Sequence, residues 1–316
     1  MKTSDTLPLL TVLGPTASGK TSFAVALALT LDAEIISGDS RQVYRRMDIG
    51  TGKDRDQYSA GNRTVPCHLI DICEPGYKYS VYEYQRDFHA ARDSIRGRGR
   101  RAVLCGGSGM YIEAALKGYR MPDVPPNPAL RQDLAGRPVQ ELTAILAGYG
   151  NLHNTTDLDS TQRLIRAIEI RQYCAGEMPV RNLYPPVQGP VIGIDVDRET
   201  RRSKISSRLR NRLDEGMLDE VRSLLDEGIT PEELIYYGLE YKYLTLHLTG
   251  RMPYDEMFSQ LEIAIHQFAK RQMTWFRGME RRGIVINWIP ASLTDDEKVA
   301  AALSLPGISP KQRNTI

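Results

Sequence analysis

The residues Gly14-Pro15-Thr16-Ala17-Ser18-Gly19-Lys20-Thr21 follow the spacing G-x-x-x-x-G-K-[ST]. In that pattern glycines let backbone N–H groups converge on phosphate oxygens, and the start of the following helix adds partial positive charge. Lys20 brings a full charge to the terminal phosphate, and the Thr21 hydroxyl can ligate Mg2+. A bound polyphosphate is the chemistry this loop implies. Nucleotide hydrolases usually add a second strand ending in Asp to hold the metal. Here the next well-formed core strand, Arg101-Ala102-Val103-Leu104-Cys105, runs instead into Gly106-Gly107-Ser108-Gly109, which weakens an ATPase reading.

A second chemical signal lies in Ile35-Ile36-Ser37-Gly38-Asp39-Ser40. Asp39 falls just past a strand end, on the edge where open α/β sheets bind ligands. An aspartate there can simply cap a turn. Beside a bound diphosphate it can instead ligate metal or accept a proton. Arg41, Gln42 and Tyr44 follow and can hydrogen-bond and stack. The histidines His68, His89, His153, His247 and His266 are widely separated, and Cys67, Cys73, Cys105 and Cys174 contain no close pair. Structural histidines and reduced, mostly buried thiols are therefore expected, with no zinc site.

The elements that must hold these residues can be read from hydrophobic periodicity. Leu9 to Leu13 reads as a strand and Thr21 to Leu31 as an apolar helix, so the phosphate loop joins strand to helix. Ala33 to Ser37 and Ala102 to Cys105 are further strands, Leu69 and Ile70 follow a polar loop, and Val81 to Ile95 is amphipathic. The alternation predicts a P-loop-type α/β fold, a mainly parallel sheet with helices on both faces. Pro122, Pro125, Pro126 and Pro128 mark a boundary. Ala129 to Cys174 then reads as helical, with Asp157 and Asp159 as caps before Leu164, Ile165, Ala167 and Ile168. Pro179, Pro185, Pro186 and Pro190 close this segment, Val191 to Val196 resumes the sheet, and long helices run to about Glu280. The expected organisation is a core over 1–120 and 187–316 interrupted by a helical insertion over 121–186.

Composition sets outer bounds. Across 316 residues, 41% are hydrophobic and 25% charged, which excludes fibrous and disordered classes. Lys and Arg total 41 against 39 Asp and Glu, so the net charge of +2 neither demands nor excludes a polyanionic partner. The longest apolar stretch, Phe23 to Leu31, is about half a membrane span. A cytoplasmic, monomeric protein without membrane insertion is expected.

Several motifs occur in order with the phosphate loop. They are Asp39-Ser40-Arg41-Gln42-Val43-Tyr44, Met47-Asp48-Ile49-Gly50-Thr51, His68-Leu69-Ile70-Asp71, Gly106-Gly107-Ser108-Gly109-Met110-Tyr111, Gln162-Arg163-Leu164-Ile165-Arg166-Ala167-Ile168-Glu169 and Lys270-Arg271-Gln272-Met273-Thr274-Trp275-Phe276-Arg277. Together, over about residues 8 to 280, the sequence resembles the tRNA dimethylallyltransferases, also called tRNA isopentenyltransferases. The resemblance implies transfer of a dimethylallyl group from dimethylallyl diphosphate to N6 of adenosine 37 beside the tRNA anticodon, with Mg2+ as cofactor. It implies that Gly14 through Thr21 and Arg271 bind the diphosphate, that Thr21 holds the metal, and that Asp39, Ser108 and Lys20 carry the catalysis. The anticodon stem-loop would meet Asp39, Ser40, Arg41, Gln42, Gln162, Arg163, Arg166, Lys270, Arg271, Gln272, Thr274 and Arg277.

The chain departs from that pattern in places. Ser108 stands where the family usually has Thr, and His266 where it often has Arg, making one charge depend on pH. Tyr236-Tyr237-Gly238-Leu239-Glu240-Tyr241 replaces a Gly-Tyr or Gly-Phe followed by basic and acidic residues. Arg198, Arg201, Arg202, Lys204, Arg208, Arg210 and Arg212 precede Asp214, Glu215, Asp219 and Glu220 and read as a solvated face. Met257, Leu261, Ile265, Phe268 and Trp275 recur at helical spacing and read as core, Trp275 alternatively as a base-stacking surface. Competing functions are a small-molecule or nucleotide kinase, a prenyltransferase acting on free adenine nucleotide, and a phosphate-loop regulator without covalent chemistry.

Overall fold

A computed structural model describes residues 7–149, 161–175 and 184–308. The chain forms two compact units, Met1–Lys117 with Pro186–Ile316, and Gly118–Pro185. Asp157, Asp159, Pro179 and His153 lie outside the described residues.

In the larger unit the elements begin β1 (Leu10–Leu13), α1 (Lys20–Leu31), β2 (Ala33–Ser37), a hairpin of β3 (Ser59–Ala60) and β4 (Arg63–Thr64), and β5 (Cys67–His68). They continue with α2 (Val81–Gly97), β6 (Arg101–Gly106) and α3 (Gly109–Lys117). The smaller unit contains α4 (Pro128–Leu134), α5 (Val139–Gly148) and α6 (Thr161–Cys174). The larger unit then resumes with β7 (Val191–Asp195), α7 (Arg198–Asp214), α8 (Met217–Asp226), α9 (Pro231–Tyr236), α10 (Leu239–Leu248), α11 (Tyr254–Arg281), β8 (Ile286–Pro290) and α12 (Asp295–Leu303).

Six strands form one sheet in the order β5-β2-β6-β1-β7-β8, every neighbouring pair parallel. Side-chain alternation puts two cores on its faces. Leu9, Leu13, Ile36 and Leu104 face a core shared with α2, α3, α7, α8, α10 and α11. Leu10, Val12, Ile35, Val103 and Ile192 face a second core closed by α1 and α12. The outer strand β8 and α12 lie past the last element read from sequence. β5 ends at His68, because Leu69 (φ 62°) and Asp71 (φ 56°) are left-handed and turn the chain out of the sheet.

The sheet order positions the chemistry. β6 pairs with β2 on one side and β1 on the other, so the loops leaving the ends of all three emerge side by side. The ends of β2 and β6 also approach closely: a Cβ on Gly106 would collide with the Gly38 backbone, so glycine is required there. The Gly38 N–H donates to the Cys105 carbonyl at 2.7 Å and Ser108 N–H to the Gly38 carbonyl at 3.2 Å, locking the two loops together.

In the smaller unit Leu134, Leu142, Leu146, Leu164 and Ile168 form a core of its own. The buried Glu169 carboxylate receives the Asn127 N–H at 2.5 Å and two nitrogens of Arg131 at 3.0 and 2.9 Å, with Arg166 as a further partner. Among the described residues no helix is long and apolar enough to cross a membrane.

Candidate active site

The phosphate loop runs from the end of β1 to the start of α1. Ala17 is held at φ 59°. A left-handed non-glycine residue costs roughly 1–3 kcal/mol and marks strain of the kind that gathers at ligand sites. Ser18 is 1% exposed and its hydroxyl has no hydrogen-bond partner, so the loop holds an unspent buried donor. Lys20 Nζ lies 3.4 Å from the Pro15 carbonyl, to which it donates. Burial lowers the Lys20 pKa, the nearby Arg208 acts the same way, and Cys105, Asp39 and Asp54 oppose. An anion in the loop would remove the cost of keeping that ammonium charged.

Asp39 is half-buried beside this loop. Its Oδ1 accepts the Arg41 N–H at 2.8 Å, and its own N–H donates to Ser37 Oγ at 3.3 Å. The Ser40 N–H donates to Ser108 Oγ at 3.0 Å, and the two hydroxyls are 3.3 Å apart. Ser108 thus braces the Asp39 loop through its hydroxyl, the group a Thr at this position would also carry.

Gln42 and Gln272 differ from the expectation of RNA contact. Gln42 Oε1 accepts from Ser37 Oγ at 2.9 Å and Nε2 donates to the Gly52 carbonyl at 2.9 Å. Gln272 is 7% exposed and joins Thr16 to Gly107. Both amides are committed inside the protein. On α11 the neighbours Lys270, Arg271, Thr274 and Arg277 are exposed, with Arg271 lying 6.0 Å over the Phe268 ring. Phe268, read as core, is 38% exposed, while Met257, Leu261 and Ile265 are buried. Trp275 is anchored rather than open: its Nε1 donates to Glu113 at 3.0 Å and its ring lies against Gly109.

In the smaller unit Gln162 and Arg163 are exposed on α6, whereas Arg166 donates to the Val124 carbonyl at 2.8 Å and pairs with Glu169. Burial and the nearby Arg202 and Arg201 lower the His266 pKa, so it stays neutral at pH 7. No group of three or more His, Cys, Asp or Glu gathers as a metal cage among the described residues.

On the basic helix α7, Arg198, Arg202, Lys204 and Arg210 are exposed, in keeping with a solvated face, and two other arginines depart from that reading. Arg208 and Arg212 are not a solvated face. They line a pocket with Thr16 and Ala17 of the phosphate loop, Glu240, and the apolar Ile205, Leu209, Met217 and Ile265. Positions 205, 208, 209 and 212 lie on one helix face, so arginines on the same stripe as Ile205 and Leu209 were the available signal. Burial lowers the Arg208 pKa, as does Arg212, and Asp54 and Glu240 oppose. Burial also raises the Glu240 pKa, which Arg212 and Arg208 counter. A pocket lined by both arginines and apolar side chains beside the phosphate loop suits a ligand with an anionic head and a short hydrocarbon tail.

Comparison with known proteins agrees with this geometry. The IPP transferase family model matches residues 42–279, and an isopentenyl transferase model matches residues 8–65. The tRNA dimethylallyltransferase 1 of Parabacteroides distasonis is 61% identical over 94% of this chain and 97% of its own. The tRNA dimethylallyltransferase 2 of Porphyromonas gingivalis is 60% identical over 95% and 99%. The crystal structure of a tRNA isopentenylpyrophosphate transferase from Bacillus halodurans, 30% identical, superposes with a TM-score of 0.68 over 94% of each chain. On these matches and on its phosphate-loop sheet, the chain belongs to the IPP transferase family, the tRNA dimethylallyltransferases.

Proposed function

We propose that the protein transfers a dimethylallyl group from dimethylallyl diphosphate to N6 of adenosine 37 beside the tRNA anticodon, acting as a cytoplasmic monomer. The observation that carries this reading is the pocket that joins an apolar wall to the phosphate loop. A prenyl diphosphate has both parts, a charged head for the loop and a short hydrocarbon tail for the apolar wall.

In this reading the loop Gly14 through Thr21 wraps the diphosphate, with the backbone N–H groups from Ala17 to Thr21 and the Lys20 ammonium as donors, and Arg208 reaches it from α7. Arg271 is a further diphosphate ligand from the exposed face of α11. The adenine leaves its stack to bring N6 to the donor. Its nitrogen forms a bond to C1 of the dimethylallyl group as the C1–O bond breaks, and pyrophosphate departs with the bonding electrons. Positive charge on nitrogen is relieved when the N6 proton passes to Asp39, and Ser108 keeps the Asp39 loop in register. The donor set fits magnesium, which prefers one or two protein oxygens plus substrate phosphates to an all-protein cage. Thr21 Oγ1 would hold it. When bound, the ion neutralises charge on the leaving pyrophosphate.

Ser40, Arg41, Lys270, Thr274 and Arg277 of the larger unit, and Gln162, Arg163 and Arg166 of the smaller one, contact the stem-loop, chiefly through phosphates. Gln42 and Gln272 support the site from within. The test is incubation with Mg2+, dimethylallyl diphosphate and unmodified tRNA carrying adenosine at position 37, with AMP as a parallel acceptor. Prenylated adenosine in the tRNA is expected. Its absence would sink the reading, and modification of AMP in preference to tRNA would redirect it.

A further inference from the structure

Asp54 has no part in the transfer as derived above, yet it is the residue on which both pocket arginines converge. Arg208 Nη2 lies 2.5 Å from Asp54 Oδ2, and Arg212 Nη2 lies 3.2 Å from Asp54 Oδ1, one guanidinium on each carboxylate oxygen. The two arginines are one helical turn apart on α7, and Lys20 is near enough for Arg208 to depress its pKa. Two guanidinium groups therefore share one end of the pocket, with Glu240 also on its wall. Without a local anion, repulsion and desolvation would drive the flexible arginine side chains outward.

The segment carrying Asp54 is built to stay still. The Glu220 carboxylate accepts the N–H groups of Asp48 and Ile49 at 2.7 Å each and of Gly50 at 3.0 Å. Lys53 is 1% exposed, its ammonium 2.5 Å from the Tyr44 carbonyl, 2.6 Å from Asp48 and 2.5 Å from Asp71. Gln42 holds the Gly52 carbonyl. Gly52 sits at φ 67°, and a Cβ there would strike the Nη2 atoms of both arginines, so only glycine lets the loop close on them. Asp54 itself is left-handed at φ 39°. The left-handed turn at Asp54 aims its carboxylate at the two guanidinium groups.

We propose that Asp54 is a positioning residue that presets Arg208 and Arg212 for the donor diphosphate. The inference rests on the donor reading of the pocket. Each arginine meets Asp54 through one terminal nitrogen, and the guanidinium fork has further donors for phosphate oxygens. Holding the pair in place beforehand removes an ordering cost from donor binding. The effect therefore falls on donor affinity, not on the chemical step or on tRNA.

Steady-state kinetics of the full chain test this, with dimethylallyl diphosphate and tRNA varied separately and inorganic pyrophosphate as a competing probe. Asp54→Ala is expected to raise the donor KM and the pyrophosphate inhibition constant about tenfold, with much smaller changes in kcat and in the tRNA KM. Asp54→Glu should recover most of the loss, since it restores the charge. A folded Asp54→Ala with an unchanged donor KM overturns the proposal, and so does a parallel loss of kcat and both KM values. If Asp54→Ala does not fold, the isosteric Asp54→Asn decides: its donor KM must rise, and an unchanged value overturns the proposal. Failure of the wild-type protein to use the donor overturns the donor reading and this inference together. Normal wild-type turnover with an insensitive Asp54 overturns this inference alone.

Discussion

The side-chain oxygen of Gln272 accepts the Thr16 backbone N–H at 2.8 Å, tying the phosphate loop to a helix 256 positions away. The same amide donates through Nε2 to the Gly107 carbonyl at 2.9 Å. One buried side chain therefore spans the loops after β1 and β6, and α11, whose exposed face carries Lys270, Arg271 and Arg277, is braced directly against the diphosphate site.

Gln272→Ala should lower unfolding stability by about 1–3 kcal/mol, because it strands a donor and an acceptor. It should also weaken donor binding, since Thr16 is no longer held. Gln272→Glu keeps an acceptor for Thr16 but loses the bond to Gly107 and adds negative charge near the phosphates, so it should harm donor affinity more than stability. Urea titration and donor-binding isotherms separate the two effects. An unchanged midpoint in Gln272→Ala would show that the amide is no strut.

Asp39→Asn isolates proton transfer. Asparagine keeps the side-chain oxygen that accepts the Arg41 N–H at 2.8 Å, so the loop should hold its shape. Single-turnover transfer should slow by roughly 10²–10⁴-fold, the usual worth of a positioned general base. Donor binding should change little. Wild-type turnover in this variant would remove Asp39 from its role.

Much of the site could be read from local sequence because its parts are local. The phosphate loop, the Asp39 turn and the glycines after β6 each declare themselves in a few consecutive residues, and parallel-sheet topology does the rest. For Asp54 and Glu240, and for the partners of Arg208 and Arg212, local sequence is silent for the opposite reason. Their meaning lies in long-range pairing, and Arg208 bonds a carboxylate 154 positions away. Gln42 and Gln272 stand in motifs that mark the site, but sequence does not say which way a polar side chain on a motif points, and both turn inward rather than toward RNA. β8 leaves no clear signal because Ile286-Asn287-Trp288-Ile289-Pro290 is short and mixed in polarity, and its strand character comes from pairing with β7.

Lys20 links pH to both folding and binding, with opposite signs. Its folded pKa lies below 10.5, chiefly through burial. Between that folded value and 10.5 the unfolded chain binds more protons than the folded one, so stability of the ligand-free protein should rise with pH across that window. Affinity for dimethylallyl diphosphate should fall across the same window as the ammonium is lost. Lys20→Arg, which keeps its charge, should flatten the alkaline loss of affinity. Parallel slopes for stability and binding would contradict this account of Lys20.

Acid should weaken the helical unit. Burial alone would raise the Glu169 pKa, but Arg131, the Asn127 N–H and Arg166 outweigh it and hold the carboxyl at about 2, against an ordinary 4.5. The stability from this depressed pKa is present above pH 4.5 and is lost as pH falls toward 2. At 1.36 kcal/mol per pKa unit it is worth about 3 kcal/mol. Glu169→Gln should therefore cost about that much at pH 7 and much less near pH 2, read by hydrogen exchange of amides in α4 and α6 of the full chain. The same pairing makes Arg166 an ambiguous probe of RNA binding, because removing it also strips a partner from a buried carboxylate. Arg277→Ala, on the exposed face of α11, should weaken tRNA binding and flatten its salt dependence. If Glu169→Gln and wild type exchange alike from pH 7 to pH 3, the carboxylate does not hold this unit together.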